Sequence, residues 1–207
     1  MSAKLSPKLN PVRVPIKKKE ELKKPSMVRR FGAYATDWFL GDLSAAFPVA
    51  FLYSMVTQTP EVTAHITEIP GDYGILAGVL SMVFIIAYYV LVPWKLWPGQ
   101  TVGKRIFGIR ITDLDGKRAD LKQLILRQVL GLLILENGLM TAGRYAGELA
   151  GFAAGQPLMP SWWKYAGWII GTLSSILIVF HPLRRGIHDY LAGTRVVMAW
   201  YGPERKG

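Results

Sequence analysis

Seven ionisable residues lie within or beside strongly apolar stretches of this chain: Arg30, Asp37, Asp42, Arg127, Glu136, Arg144 and Asp189. A charged side chain in hydrocarbon costs roughly 3 kcal/mol on insertion scales, so each must find a partner, reach water or lose its charge. Two kinds of chemistry follow. The residues form either a polar clasp that fixes the arrangement of helices, or an ion site that takes up and releases a cation or proton. Arg30 and Asp37 are two helical turns apart, and Ser44 lies two turns further, so the three share a face with Gly41, Ala45 and Pro48. Asp42 is about 140° round the same helix from Asp37 and need not share its site. Glu136 and Arg144 stand close to a common helix face, which leaves both an ion pair and a transport site open.

Other chemistries are poorly served. No Ser/His/Asp arrangement is assembled convincingly by the order of the segments, and His188 beside Asp189 would point away from it on a helix. His181 and His188 are separated by the helix breakers Pro182 and Gly186, and His65 stands alone in a loop, where it reads as solvated; no metal site is expected. The run Gly99-Gln100-Thr101-Val102-Gly103-Lys104 is like a phosphate loop but one residue short, with Arg105 where Ser or Thr belongs, so nucleotide binding is not expected. Cysteine is absent, which excludes disulfides and thiolate metal sites. No cofactor is implied, and the chain does not read as an enzyme.

The elements that must position these charges are membrane helices. The net charge of +11 would suit nucleic acid if it lined one soluble face, but the basic residues flank apolar segments, which is the pattern of membrane topology. Nucleic acid is therefore not an expected partner. Val28 to Val56 reads as the first span and Gly74 to Leu96 as the second, with an acidic loop, Thr57 to Tyr73, between them. Tyr88 and Tyr89 read as packing residues. Leu121 to Gly155 reads as a third span, bent or tilted, because charges and glycines interrupt it. Gly143, Gly147 and Gly151 form a small-residue ridge there, and Gly167 and Gly171 form another in the fourth span, Tyr165 to Phe180; such ridges let helices approach closely.

Between the second and third spans, Phe107, Ile109 and Ile111 alternate with Gly108, Arg110 and Thr112, a strand pattern. Thr194 to Tyr201 is also rich in strand formers, and the same topology places it on the same membrane side. A small cytoplasmic sheet between the two is expected. The fold class is thus an all-α membrane protein, a four-transmembrane-helix bundle with a small cytoplasmic β element. Residues 1–27 form a basic cytoplasmic tail too polar to fold alone, 28–201 the membrane domain and 202–207 a short tail. Lys104, Arg105, Arg184 and Arg185 are placed to meet lipid headgroups, although plain positive-inside flanking explains them as well.

Three blocks, RRFGAYATDW, GQTVGKRIFGIRITDLDG and RRGIHDYLAGTRVV, stand in this order around the apolar spans. In that combination the chain resembles the RDD family of membrane proteins, named for an arginine and two aspartates. The resemblance covers about Val28 to Val197. By position Arg30 matches the arginine, Asp37 the first aspartate and Asp189 the second. Many members are similar to three-span proteins, whereas four spans are counted here. The resemblance implies a bacterial inner-membrane protein but no settled activity.

Two functions are expected from these readings. The first is a non-catalytic accessory, assembly or interaction module whose small-residue faces dock onto another membrane protein or a second copy, with the charges as a clasp. The second is a cation- or proton-coupled transporter using the intramembrane carboxylates. With both termini cytoplasmic, the lipid bilayer is a partner in either case.

Overall fold

A computed structural model describes residues 22–136, 140–155 and 161–199. The expectations for the basic tail before residue 22 and for everything after 199 lie outside the described residues.

Helix α1 (Met27–Thr57) starts at Ser26, whose hydroxyl accepts the Arg29 N–H, and runs for 31 residues, about 46 Å at 1.5 Å per residue. A hydrocarbon core is about 30 Å thick. The part from Asp37 to Thr57 alone is about 30 Å long, enough to cross that core. Pro48 sits inside the helix. One turn before it, the Ala45 carbonyl accepts the Ser81 hydroxyl of the next helix at 2.6 Å. This bond ties α1 to the next helix; the carbonyl that Pro48 leaves without its N–H is that of Ser44, one residue earlier.

Helix α2 (Tyr73–Ile86) packs against α1 and continues as a π-wound segment, Ala87–Leu96. The wider winding is visible at its end, where the Trp97 N–H donates five residues back to the Val92 carbonyl at 3.0 Å. Such winding is rare and tends to mark functional sites. The chain then leaves the bundle through α3 (Val102–Ile106) and β1 (Ile109–Asp113). Helix α4 (Leu121–Ile125) opens with a reciprocal cap between Asp120 and Gln123 and passes into a second π-wound segment, Leu126–Leu135. After a break come α5 (Thr141–Ala153), α6 (Ser161–Phe180), α7 (Ile187–Ala192) and β2 (Thr194–Met198).

The expected sheet is present. β1 and β2 pair antiparallel, with Ile109 opposite Met198, Ile111 opposite Val196 and Asp113 opposite Thr194. Ile109, Ile111 and Val196 are buried on one face of the pair and Thr112 and Val197 on the other, so both faces are covered.

Three helical stretches are long and apolar enough to cross a membrane: Met27–Thr57, Tyr73–Leu96 and Trp162–Phe180. Their exposed faces are large and apolar, with Phe39, Leu43, Phe47 and Phe51 at helical spacing on α1 and Ile169, Leu173 and Ile176 on α6. The segment read as one bent or tilted third span is two pieces instead. The π-wound run ends at Glu136, and α5 restarts at Thr141 with its first N–H donating to Asp42 at 3.0 Å. The break follows from composition: Glu136 turns to partners outside its own helix, and a separate helix N-terminus then needs an acceptor. The first piece begins near the sheet, where Gln123 donates to the Gly193 carbonyl, and α5 ends by the far loop, where Glu148 meets Ile66.

The main core lies between α1, α2 and α5, around Val49, Ile66, Ala77, Ile85 and Tyr145. Gly143, Gly147 and Gly151 are buried on α5, which packs against α2. α6 is the least enclosed span, only 11% buried, and packs chiefly on α7 and the second π-wound segment.

Candidate functional site

The first polar centre forms around Asp37, which is 2% exposed. Its Oδ1 accepts the Tyr88 hydroxyl at 2.7 Å and the Gly103 N–H at 2.8 Å. Its Oδ2 accepts the Thr101 hydroxyl at 2.5 Å and the Lys104 ammonium at 2.8 Å. Four donors on two oxygens leave the carboxylate well satisfied. Tyr89 completes the centre by donating to the Asp37 main-chain carbonyl at 2.7 Å. Adjacent tyrosines diverge on an ordinary helix, and the wider π turn brings them closer together around the axis, so both reach one residue of α1.

Close approach at this centre depends on glycine. A Cβ on Gly103 would lie against the Ala33 carbonyl oxygen and 2.8 Å from Asp37 Oδ1. The resemblance of this run to a phosphate loop has a physical basis: its backbone N–H and lysine do hold an anion, but the anion is the chain's own Asp37.

The second centre forms around Asp189, fully enclosed on α7. Arg127 from the second π-wound segment donates to Oδ1 in a close ion pair, and Thr194 donates to the same oxygen at 3.0 Å. Oδ2 receives the Gly186 N–H at 3.3 Å and lies 3.7 Å from Arg30 and 3.6 Å from His188 Nε2. Burial alone would raise the pKa of this carboxyl. Arg127, His188 and Arg30 overcome that cost and hold it below the usual carboxylate range. Arg30 also donates to the Arg184 carbonyl, Arg184 to the Pro25 carbonyl at 3.1 Å, and Arg185 to the Thr194 and Asp189 carbonyls at 2.9 Å. One aspartate thereby ties α1, the π-wound segment, α7 and β2 together.

His188 extends the network to Glu136. Its Nδ1 lies 2.9 Å from Glu136 Oε1, which also accepts the His188 N–H at 3.1 Å and the Ser174 hydroxyl of α6 at 2.7 Å. A smaller pair stands at the opposite end of the bundle, where His65 Nδ1 is 2.6 Å from Glu148.

Several expectations are corrected by this geometry. Arg30 and Asp37 share a helix face but not a partner, so the single clasp is two centres. Lys104, read as placed to meet lipid headgroups, is also the ion partner of Asp37. Arg184 and Arg185, read the same way, are turned onto main-chain carbonyls, while Arg105 lies against the Trp97 ring. Glu136 pairs with His188 instead of Arg144, whose guanidinium lies over the Tyr145 ring. Asp42 caps α5. His65 is paired rather than simply solvated, and His188 and Asp189, though adjacent, belong to one network. Gly171 meets no helix, since a Cβ there would find nothing within 4 Å. Thr101, Gly103, Tyr88, Tyr89, Ser174, His188 and Thr194 are the site residues that sequence reasoning passed over. The phosphate-loop likeness was the one signal pointing to the first two.

Between the centres and α6 lies a cavity of about 360 Å³. Arg30, Lys104, Arg127, Glu136 and His188 line it on one side. Phe31, Leu132, Trp168, Ile178 and Val179 form its apolar walls. Among the described residues no group of three or more His, Asp or Glu is placed to hold a metal ion.

Comparison with known proteins agrees with this arrangement. The RDD family pattern matches residues 24–193, which include both centres. The chain is 30% identical over 176 residues to the uncharacterized protein YckC of Bacillus subtilis (strain 168), covering 84% of this chain and 85% of that one. No solved structure matches. With its arginine and two aspartates at the centre of the polar network and three apolar helices around them, the chain belongs to the RDD family.

Proposed function

We propose that this protein is a non-catalytic accessory or assembly module of a membrane complex, in which the buried charges hold the bundle rather than move ions. The observation that carries this reading is the saturation of Asp37 by Tyr88, Thr101, Gly103 and Lys104. A transport carboxylate must exchange its partner for an ion or proton, whereas this one is fixed by donors from two separate parts of the chain, Tyr88 and the 101–104 stretch. Asp42, Glu136 and Asp189 are each likewise engaged. The broad apolar faces of α1 and α6 supply surface for a neighbouring membrane protein or a second copy.

In this reading the protein is multi-pass in a bacterial inner membrane. The segment from α4 to α5 makes a fourth, broken crossing. Both termini and the sheet lie in the cytoplasm, in keeping with Lys104, Arg105, Arg110, Lys117 and Arg118 between the second and third crossings. The test is purification of tagged wild type and Asp37→Asn in mild detergent, with mass spectrometry and native sizing of each. A partner recovered in stoichiometric amount with wild type, and lost with Asp37→Asn, supports the module. An Asp37→Asn protein that stays intact, keeps its partners and loses only ion flux refutes it in favour of the transporter.

A further inference from the structure

The cavity between α1 and α6 has two unlike halves. Its charged wall is built by Arg30, Lys104 and Arg127, and the carboxylates that neutralise them, Asp37 and Asp189, stand behind the wall. Lys104 Nζ makes two hydrogen bonds, to Asp37 and Thr101, of the three it can donate. The Arg127 Nε–H is buried and has no acceptor among the described residues. Arg184 and Arg185 lie immediately behind Arg30 and Asp189. Five cations therefore face three carboxylates, Asp37, Glu136 and Asp189, and the region favours an anion. Glu136, the carboxylate on the wall itself, disfavours a second negative charge on that anion.

The other half is apolar and open along α6. Gly167, Gly171 and Ser175 recur at fours and all line the cavity, and a Cβ added at Gly171 would touch nothing within 4 Å. This is unfilled space beside a helix that is itself barely enclosed. A volume of 360 Å³ lies within the range of small-ligand sites, about 300–1,000 Å³.

We propose that this cleft binds one anionic phospholipid from the surrounding bilayer, with its phosphodiester against Arg30, Lys104 and Arg127 and an acyl chain along Gly167, Gly171 and Ser175. A monoanionic headgroup matches the cations without crowding Glu136, and the chain fills a groove that no side chain occupies. The site is independent of whether the protein serves as an assembly module.

Native mass spectrometry of the full-length, delipidated protein titrated with dioctanoyl phosphatidylglycerol tests the proposal. The expected result is saturable binding of one lipid, with dioctanoyl phosphatidylcholine at least tenfold weaker and equimolar inorganic phosphate failing to displace the lipid. Gly171→Trp and, separately, Ser175→Phe fill the groove from different positions and should each weaken binding tenfold or more without lowering thermal stability. Ile169→Trp, on the exposed face of the same helix, should stay within twofold. Equal binding of the two lipids, displacement by inorganic phosphate, or unchanged binding in both groove variants would overturn the proposal. So would a dimer, free of lipid mass, that Gly171→Trp splits, since it would place a second copy in the cleft.

Discussion

Removing the charge of Asp37 should cost the protein far more than removing the charge and its partner together. In Asp37→Asn one carboxylate oxygen becomes an NH2 group. Whichever way the amide turns, it presents hydrogens either to Tyr88 and Gly103 or to Thr101 and Lys104, all of which are donors. In either orientation Lys104, only 12% exposed, loses its carboxylate and is left a cation without a counter-charge. Breaking a buried pair from one side costs about 3–5 kcal/mol. For a chain of this size each kcal/mol shifts a melting temperature by roughly 2–4 °C, so a fall on the order of 10 °C is expected. Lys104→Met in the same chain removes the stranded charge while keeping the stem, and the double variant should regain at least half of the loss. The assay is thermal unfolding in detergent followed by size-exclusion recovery, run as a double-mutant cycle. A single variant that melts within about 1 °C of wild type, or a double variant whose loss is the sum of the singles, would refute the reasoning.

Three further outcomes follow. Gly103→Ala should destabilise by about 1–3 kcal/mol, because its Cβ drives the loop from Asp37, whereas Gly171→Ala should be neutral or stabilising; thermal melts of the pair decide it. Asp189 has a depressed folded pKa, so its contribution is complete above the ordinary carboxylate range near pH 4 and is lost as the pH falls through the lower folded value. Asp189→Asn should therefore melt lower at pH 7 and show a flatter acid limb than wild type, as read from melting temperature against pH. Glu136→Leu should cost about 2–4 kcal/mol by stranding the His188 and Ser174 donors, while Arg144→Met should stay within about 0.5 kcal/mol. Equal losses in the two would restore the Glu136–Arg144 pair.

What the sequence disclosed follows from how locally each feature is determined. The spans α1, α2 and α6 are long apolar runs with few charges, and solvation sets them. The strand from Ile109 to Asp113 alternates with period two and found a partner of matching length in Thr194 to Met198. The segment between α2 and α6 was harder, since its glycines and charges fit one tilted helix as well as two pieces, and the π winding leaves no pattern of its own. The charged residues themselves were conspicuous because hydrocarbon makes them costly. Their partners were not, since Asp37 meets a loop some 65 residues on and Arg30 meets a helix near the chain's other end. Spacing along α1 could pair Arg30 with Asp37 but could not show that a glycine-lined loop would arrive first.

The saturation of Asp37 is the point on which the account turns, and ion flux tests it most directly. Wild type and the Asp37→Asn/Lys104→Met double variant would be reconstituted in vesicles with pH- and cation-sensitive dyes under imposed proton, sodium and potassium gradients. The same background leak is expected from both proteins. Gradient-driven flux through wild type that disappears in the equally folded double variant would contradict it, and would make Asp37 a transport carboxylate.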